Sequence, residues 1–600
     1  MLDREAMRAA GYQTVDALIE WLSDTSEPPI RRGDPDDLQR RLGGPAPAAG
    51  EPFAEVLAGL FRDVAPFASR SAHPRFFAFV PFAGTWPGAL GDFVASACNF
   101  YAGSWMESAG PTQLELEILG WFKEWIGYPP EAAGSLVTGG SAANLTALAC
   151  AREARVGSMR DDLVVYVSDQ THSSLARGAR LLGFRPAQMR VLPVGDDLRL
   201  EPATLAAAID ADLVAGRQPF FAVANAGATS SGAVDPLREL AELCNDRGIW
   251  FHIDAAYGGF AVLTDRGRHV LDGIELGDSV TLDPHKWLYQ PYECGCLLVR
   301  DGGALRGAFE ISSDYLRDAE PMTGEVNFAD LGLQLSRSSR AFKLWLSLRT
   351  FGLDAFRTAI DRCLDLTELA RLYIEQSALL ELAAPPSLGT VCFRRIGDDD
   401  EMVTSGLVAA LEASGLGFIS STRVHGRAAL RLCILNHTST AEDVISVLAF
   451  LESAQPAPVA ALMTERDVRV GAAPLFARLE PGESDLLASL STERRAAAGE
   501  SVVERWETSR DLYVIERGTV DIMVDGVTVA TLHAGDFFGE VAALEWGAGF
   551  ARARSATAVA RDEVLLRVVS PDALTQLLAR APRLERDLRL LAHDRLRRAR

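Results

Sequence analysis

Ser279-Val280-Thr281-Leu282-Asp283-Pro284-His285-Lys286-Trp287 sets a lysine just behind a short apolar run, with Pro284 breaking the chain between them. The run reads as a buried strand, and apolar residues resume over Cys294–Val299, so Lys286 is expected on a tight turn between two core strands. A lysine there is poorly explained as a solvated surface charge. Upstream, Trp250-Phe251-His252-Ile253-Asp254 is a second strand pattern, ending in an acid and followed by Ala255-Ala256-Tyr257-Gly258-Gly259. An aldehyde cofactor with a basic ring nitrogen needs both groups. A lysine holds it as a Schiff base, and a carboxylate keeps the ring nitrogen protonated so that the ring can accept an electron pair. Lys286 and Asp254 together therefore read as a pyridoxal-phosphate site.

Outward from this pair, strand-like and helix-like runs alternate from about Ala83 to Phe351. Leu163–Val167, Phe220–Ala224, Trp250–Ile253, Val280–Leu282 and Cys296–Val299 are the apolar runs. The alternation predicts an α/β fold, a mainly parallel sheet with helices on both faces, and puts binding residues on the loops at strand ends. Val137-Thr138-Gly139-Gly140-Ser141-Ala142-Ala143-Asn144 falls on such a loop and leads into a helix through Ala154. Free N–H groups at that helix start, with Gly140 and the Ser141 hydroxyl, can hold a phosphate. Taken alone, Gly-Gly-Ser before a helix is more often an ordinary cap; beside Lys286 and Asp254 it becomes a phosphate cup. His172, in Ser168-Asp169-Gln170-Thr171-His172-Ser173-Ser174, also follows a strand pattern. Next to a cofactor it can stack on one ring face while small Ala256 lies against the other.

Six hundred residues with 48% hydrophobic and 23% charged positions suit several globular domains. A net charge of −22 argues against nucleic-acid or anionic-membrane partners. The eight cysteines show no CxxC and no zinc spacing, so reduced thiols and no metal are expected. The N-terminus lacks a basic-then-apolar leader, and no long apolar run occurs, so a cytoplasmic protein with neither signal peptide nor membrane span is expected. Val15, Leu18, Ile19 and Leu22 make one helical stripe in the first segment. Such an arm forms no core alone and is expected to pack on something else, such as a second subunit. His73-Pro74-Arg75-Phe76-Phe77-Ala78-Phe79-Val80-Pro81-Phe82 gathers aromatics around prolines, as either a plug at a domain junction or the wall of an apolar substrate pocket.

These segments resemble the group II pyridoxal-phosphate decarboxylases, the family of aromatic-amino-acid, histidine and glutamate decarboxylases, and most closely its aromatic branch. The resemblance runs from about Met1 to Leu451. It rests on His73–Phe79, Pro111-Thr112-Gln113-Leu114-Glu115, the Gly-Gly-Ser-Ala-Ala-Asn cup, Asp169–Ser174, Asp254–Gly259 and Pro284-His285-Lys286-Trp287. It implies a fold-type I enzyme, active as a homodimer with sites at the subunit interface. Lys286 would hold the cofactor, Asp254 would meet the pyridine nitrogen, and His172 would stack on the ring. Gly140, Ser141, Thr229, Ala256 and His285 would complete the cofactor contacts. The expected reaction is decarboxylation of an L-amino acid to the amine.

Two departures bear on substrate and product. In this family a tyrosine on a loop after the lysine delivers the proton to Cα. Counting back from Arg337–Trp345 puts Phe328 of Val326-Asn327-Phe328-Ala329-Asp330 at that position, and phenylalanine cannot donate a proton. Family members with this replacement react with oxygen, giving aldehyde, ammonia and peroxide along with CO₂. An aromatic aldehyde synthase is therefore the alternative, unless Tyr315 or another donor takes over. The second departure is Gly103 in Gly103-Ser104-Trp105, where a bulky ring is usual, so a wider pocket is expected. Phe79, Val80, Pro81 and Trp105 still favour an apolar or aromatic side chain over a carboxylate.

Past the Pro- and Ala-rich Ala454–Val459, short strands alternate with glycine turns: Val502–Glu504, Leu512–Glu516, Val520–Val524, Val527–Leu532 and Val564–Val568. This predicts a β-roll of jelly-roll type. About Pro474–Arg600 resembles the cyclic-nucleotide-binding domain through Leu512–Gly518, Gly535-Asp536-Phe537-Phe538-Gly539-Glu540 and Arg554-Ser555-Ala556-Thr557. The resemblance implies Glu540 on the ribose 2′-hydroxyl and Arg554 on the cyclic phosphate of cAMP or cGMP, with Gly539 and Ser555 beside them. The stretch from Glu540 to Arg554 is longer than usual. Arg580–Arg600 is an arginine-rich helix pattern with no helix-turn-helix after it, so no DNA reader is expected. The expected organisation is a helical dimerisation arm (1–84), a large cofactor domain (85–351), a small domain (352–453), a linker (454–473) and a nucleotide-binding-like domain (474–600). A reading of another class, a non-catalytic nucleotide-sensing scaffold, stays open on sequence grounds.

Overall fold

The computed structural model describes residues 2–81, 83–310, 321–397, 401–456, 481–504, 509–524, 527–540 and 556–580, together with Leu584 and Leu588. Phe82, Tyr315, Arg554, Ser555, most of the 454–473 linker and most of the arginine-rich terminus lie outside the described residues.

The large sheet has seven strands: β1 (Ala133–Val137), β2 (Leu163–Ser168), β3 (Met189–Leu192), β4 (Gln218–Asn225), β5 (Trp250–Asp254), β6 (Ser279–Leu282) and β7 (Gly295–Val299). Their order is β1-β7-β6-β5-β4-β2-β3. β7 runs antiparallel to both neighbours and the other pairings are parallel. Every residue of β2, β5, β6 and β7 is buried, as a sheet covered on both faces requires. The five apolar runs of the sequence are all strands. β1 and β3 escaped that reading because Ala133-Gly134-Ser135 is not an apolar run and β3 is a four-residue edge with half its residues only partly covered.

A second, antiparallel sheet orders β8 (Leu380–Leu382), β9 (Thr390–Arg395), β10 (Ser420–Val424) and β11 (Arg427–Cys433) as β10-β11-β9-β8. Helices Leu353–Gln376 and Ala441–Ser453 pack with it. The aromatic stretch near Pro74 docks here. Phe77 N–H donates to Phe418 O at 2.7 Å, Cys433 N–H donates to Phe77 O at 2.9 Å, and the Phe77 ring is fully buried in this sheet's core. Phe77 is thus a plug, while Phe79 is 62% exposed.

Helix α1 (Arg4–Ser23) is capped by the Asp3 carboxylate and buries no residue. Val15 and Leu18 line an apolar recess of about 330 Å³ with Phe53 of α3 (Phe53–Asp63) and Trp86 and Phe93 of α4 (Trp86–Ala97), α2 (Pro35–Leu42) lying between in the chain. Ile19 and Leu22 of the same stripe are exposed, as is Tyr12, while Leu2 and Met7 line the recess with Val15 and Leu18. No helix among the described residues is long and apolar enough to cross a membrane.

Beyond the linker, two four-stranded antiparallel sheets run β12-β19-β14-β17 and β13-β18-β15-β16, from β12 (Thr492–Ala496), β13 (Ser501–Val503), β14 (Leu512–Arg517), β15 (Val520–Val524), β16 (Val527–Leu532), β17 (Phe537–Phe538), β18 (Thr557–Ala560) and β19 (Val564–Val569). This is the expected β-roll. β12 went unread because Thr492-Glu493-Arg494-Arg495 is polar, with one face on solvent.

Candidate active site

The C-terminal ends of β1, β2, β4, β5 and β6 converge on a cavity of about 370 Å³, where ligands sit in open α/β sheets. Gly140, Ser141, His172, Thr229, Asp254, Ala256, His285 and Lys286 all line it. Asn144, Ser174, Asn225, Tyr257, Asp283 and Glu293 line it as well; the sequence reading gave none of these a role at the site.

One end is the start of α6 (Gly140–Arg155), which follows α5 (Trp105–Ile126) and β1. No side chain caps α6, and its first internal bonds are Ala142 N–H and Ala143 N–H to Gly139 O, at 2.9 and 3.1 Å. An uncapped helix start is a natural anion site. The glycines are needed for approach rather than flexibility. A Cβ on Gly140 would stand 2.9 Å from Asp283 Oδ2 and 3.0 Å from the Ala256 methyl carbon, and one on Gly139 would stand 3.1 Å from the His285 ring.

Lys286 stands on the turn after β6, its Nζ 2.9 Å from Asp283 Oδ2. Desolvation works against its charge, but the Asp283 and Asp254 carboxylates outweigh it and hold the ammonium above the ordinary lysine value. Asp283 is buried and its Oδ1 has no partner among the described residues. His285 Nδ1 accepts from Cys294 N–H at 3.1 Å, so a neutral ring carries its proton on Nε2, 3.6 Å from Asp283 Oδ2. Burial pushes His285 down to about 4, against the pull of Asp283. Tyr292 closes over this ring edge-on at 4.6 Å.

Asp254 ends β5. Its Oδ2 accepts from Asn144 Nδ2 at 2.8 Å and its Oδ1 from Ala256 N–H at 3.2 Å. His172 Nδ1 meets Ser174 Oγ at 2.9 Å and accepts from Ser174 N–H at 3.2 Å. Desolvation in the cavity keeps His172 below its usual value, with Asp254 opposing and Lys286 assisting. An uncapped helix start, a lysine, an oriented carboxylate and an imidazole on one cavity suit a flat aldehyde with an anionic tail and a basic ring nitrogen. The orphaned Asp283 Oδ1 beside the cup adds a polar atom that such a group, or water bound with it, can meet.

Phe79, Val80, Pro81, Trp105 and Phe328 do not line this cavity within one chain. Phe79 adopts φ +55°, its carbonyl accepting from Arg431 and its ring 5.9 Å edge-on from Phe418. Trp105 N–H donates to Asn327 Oδ1 at 2.9 Å, and Ala329 N–H donates to Gly103 O at 3.0 Å. Phe328 is therefore held against its own chain, 1% exposed, with the Arg337 guanidinium 4.8 Å over its ring. Arg337 pairs in turn with the fully buried Glu115, at 2.7 and 2.9 Å. The expectation that Gly103 widens a pocket is not met. A Cβ there would collide with the Tyr101 ring and stand 2.8 Å from Leu335 O, so the missing side chain makes room for Tyr101. In the C-terminal roll, Glu540 is 3% exposed and follows Gly539 at φ +91°, a conformation that favours glycine. Among the described residues no cluster of His, Cys, Asp or Glu is placed to hold a metal ion.

Residues 35–396 match the pyridoxal-dependent decarboxylase conserved domain, and residues 493–581 match the cyclic nucleotide-binding domain. The chain is 39% identical to an aromatic-L-amino-acid decarboxylase of Bacillus atrophaeus, over 74% of this chain and 95% of that one. It is 32% identical to a phenylacetaldehyde synthase of Arabidopsis thaliana, over 72% and 92% of the two chains. The crystal structure of Oryza sativa TDC with PLP and tryptamine superposes with a TM-score of 0.72 at 31% identity, over 75% of this chain and 97% of that one. With the sheet, the lysine turn and the extent of these matches agreeing, the chain belongs to the pyridoxal-dependent decarboxylases and is a pyridoxal-phosphate-dependent enzyme of that family, carrying a cyclic nucleotide-binding domain at its C-terminal end.

Proposed function

We propose that this enzyme decarboxylates an aromatic L-amino acid to its amine at the Lys286 cavity. The observation that carries the proposal is the convergence of Lys286, Asp254, His172 and the open start of α6 on one 370 Å³ cavity. Pyridoxal phosphate, when bound, supplies an aldehyde for the amine and a protonated ring that takes up the electron pair left by departing CO₂. The chain's residues do the rest. Gly140 and Ser141 N–H groups would hold the anionic tail, with His285 and Thr229 completing the cofactor contacts. Asp254, aimed by Asn144 and Ala256 N–H, keeps a proton on the ring nitrogen. His172 and Ala256 would flank the ring, and Lys286 would hold the aldehyde and could move protons at the reacting carbon.

We place the substrate's side chain against Phe79, Val80, Pro81 and Trp105 contributed across a homodimer. The exposed Phe79 ring and the outward apolar row of α1 support that assembly. The aromatic substrate class is supported by the relatives' names.

A second reading, aldehyde synthase, is favoured by Phe328. Its ring has no proton to give, and one similar protein is a phenylacetaldehyde synthase. That reaction balances as amino acid, O₂ and water giving aldehyde, CO₂, ammonia and hydrogen peroxide. Aerobic turnover of aromatic L-amino acids decides between them. The decarboxylase yields amine and CO₂ in equal amounts with no peroxide. Aldehyde with matching peroxide, reverting to amine in Phe328→Tyr, would establish the synthase instead.

We further propose that a cyclic nucleotide bound by the C-terminal roll modulates turnover. The domain match, the buried Glu540 and covalent fusion support this. Saturating cAMP or cGMP is expected to change kcat or KM by roughly fivefold or more, the ordinary span of allosteric coupling. Kinetics and substrate affinity untouched by both nucleotides would end it.

A further inference from the structure

Strand periodicity puts Trp250, His252 and Asp254 on one face of β5, opposite α6. The register aligns His252 with Ser279 and Asp254 with Thr281 on β6. These side chains make one buried polar chain. Trp250 Nε1–H donates to Ser279 Oγ at 2.8 Å, Ser279 Oγ meets His252 Nδ1 at 2.8 Å, and His252 Nε2 meets Asn144 Oδ1 at 3.0 Å. Asn144 Nδ2 then donates to Asp254 Oδ2 at 2.8 Å and to Ser174 Oγ at 2.9 Å, while Thr281 Oγ donates to Asn144 Oδ1 at 2.7 Å.

The donors fix the direction of the whole chain. A carboxylate only accepts, so Asn144 turns its Nδ2 to Asp254 and its Oδ1 to His252 Nε2, which must donate; His252 Nδ1 then accepts from Ser279, which itself accepts from the Trp250 indole. The neutral imidazole then carries its proton on Nε2 and donates to Asn144 Oδ1, which pins the amide with both N–H groups toward Asp254 and Ser174. Ser174 Oγ accepts from Asn144, and His172 Nδ1 accepts from the Ser174 backbone N–H, which by itself leaves that ring's proton on Nε2. A flipped Asn144 would set oxygen against the Asp254 carboxylate. The Phe221 ring stacks on His252 at 5.7 Å and holds its plane. Burial pushes His252 down to about 4, with Asp254 opposing, so the imidazole stays neutral with a single N–H.

We infer that His252 is a positioning residue: through the Asn144 amide it sets the orientation of the Asp254 carboxylate. The inference rests on the proposal that Asp254 faces the cofactor.

The test uses the full-length protein, with the dissociation constant for pyridoxal phosphate read from tryptophan fluorescence and the visible spectrum of the loaded protein followed against pH. His252→Phe keeps the ring and its stacking but removes the N–H. It is expected to weaken cofactor binding about 10- to 100-fold, as loss of a bond supporting a buried charge does, and to displace the spectral pH profile. His252→Gln, whose Nε2 can still donate to Asn144, is expected to recover most of both. Ser279→Ala, a small change that frees the other tautomer, is expected to displace the profile in the same direction and keeps the test open if His252→Phe does not fold. Wild-type affinity and an unchanged profile in the folded His252 and Ser279 variants would overturn the inference. Asp254→Ala separates the two levels: if it too binds cofactor as wild type does, the site proposal fails, and if only the His252 and Ser279 variants are silent, the positioning role alone fails.

Discussion

Lys286→Ala is expected to lose covalent attachment of pyridoxal phosphate altogether and to lower turnover by at least roughly 10²- to 10⁴-fold, because one side chain both binds the aldehyde and moves protons. After borohydride reduction, the wild-type peptide containing Lys286 should gain the mass of the reduced cofactor and the variant peptide should not. Lys286 is the one lysine among the described residues lining the cavity and stands 2.9 Å from Asp283 Oδ2, so the substitution also leaves that buried carboxylate without its counter-charge. Weaker cofactor retention should accompany the lost attachment. A Lys286→Ala protein that kept wild-type turnover would contradict the whole site. One that lost turnover while preserving a biological role would revive the scaffold reading for that role.

Asp254→Asn is expected to lower kcat by about 10²- to 10³-fold, the usual cost of removing one charge that stabilises a transition state, with a much smaller effect on KM. The change is nearly isosteric. Asn144 Nδ2 and Ala256 N–H meet different oxygens of Asp254, so an amide there keeps an acceptor for one of the two donors, and the fold should persist while the charge is lost. Steady-state kinetics with the cofactor saturating measures this directly. An equal loss in kcat/KM carried entirely by KM would point to substrate binding rather than to electron withdrawal.

Much of the site was legible because its residues fall at strand ends, where a buried apolar run stops at a polar residue. Asp254, His172 and Lys286 follow that rule, and Gly139-Gly140 precedes a helix. Their convergence needed the parallel sheet, whose alternating connections deliver successive strand ends to one edge. The polar chain behind Asp254 was not read, although Trp250, His252 and Asp254 alternate along β5 in plain view. The period of two says only that they share a face. The facing Asn144 comes from a helix more than a hundred residues earlier, and nothing local predicts that pairing. Gly103 misled for a related reason: a missing side chain shows where space could open but not which neighbour fills it, here Tyr101. Phe328 was placed by counting from Arg337–Trp345, and its burial beneath Arg337 depends on a Glu115 partner on another helix. β1, β3 and β12 lacked the apolar runs that identify core strands.

The most direct measurement is release of labelled CO₂ from carboxyl-labelled L-amino acids by the full-length, cofactor-loaded protein, run beside Lys286→Ala. The account predicts rapid release from aromatic L-amino acids, little from L-glutamate, and none above background in the variant. Release that prefers L-glutamate, or that survives in Lys286→Ala, would contradict it.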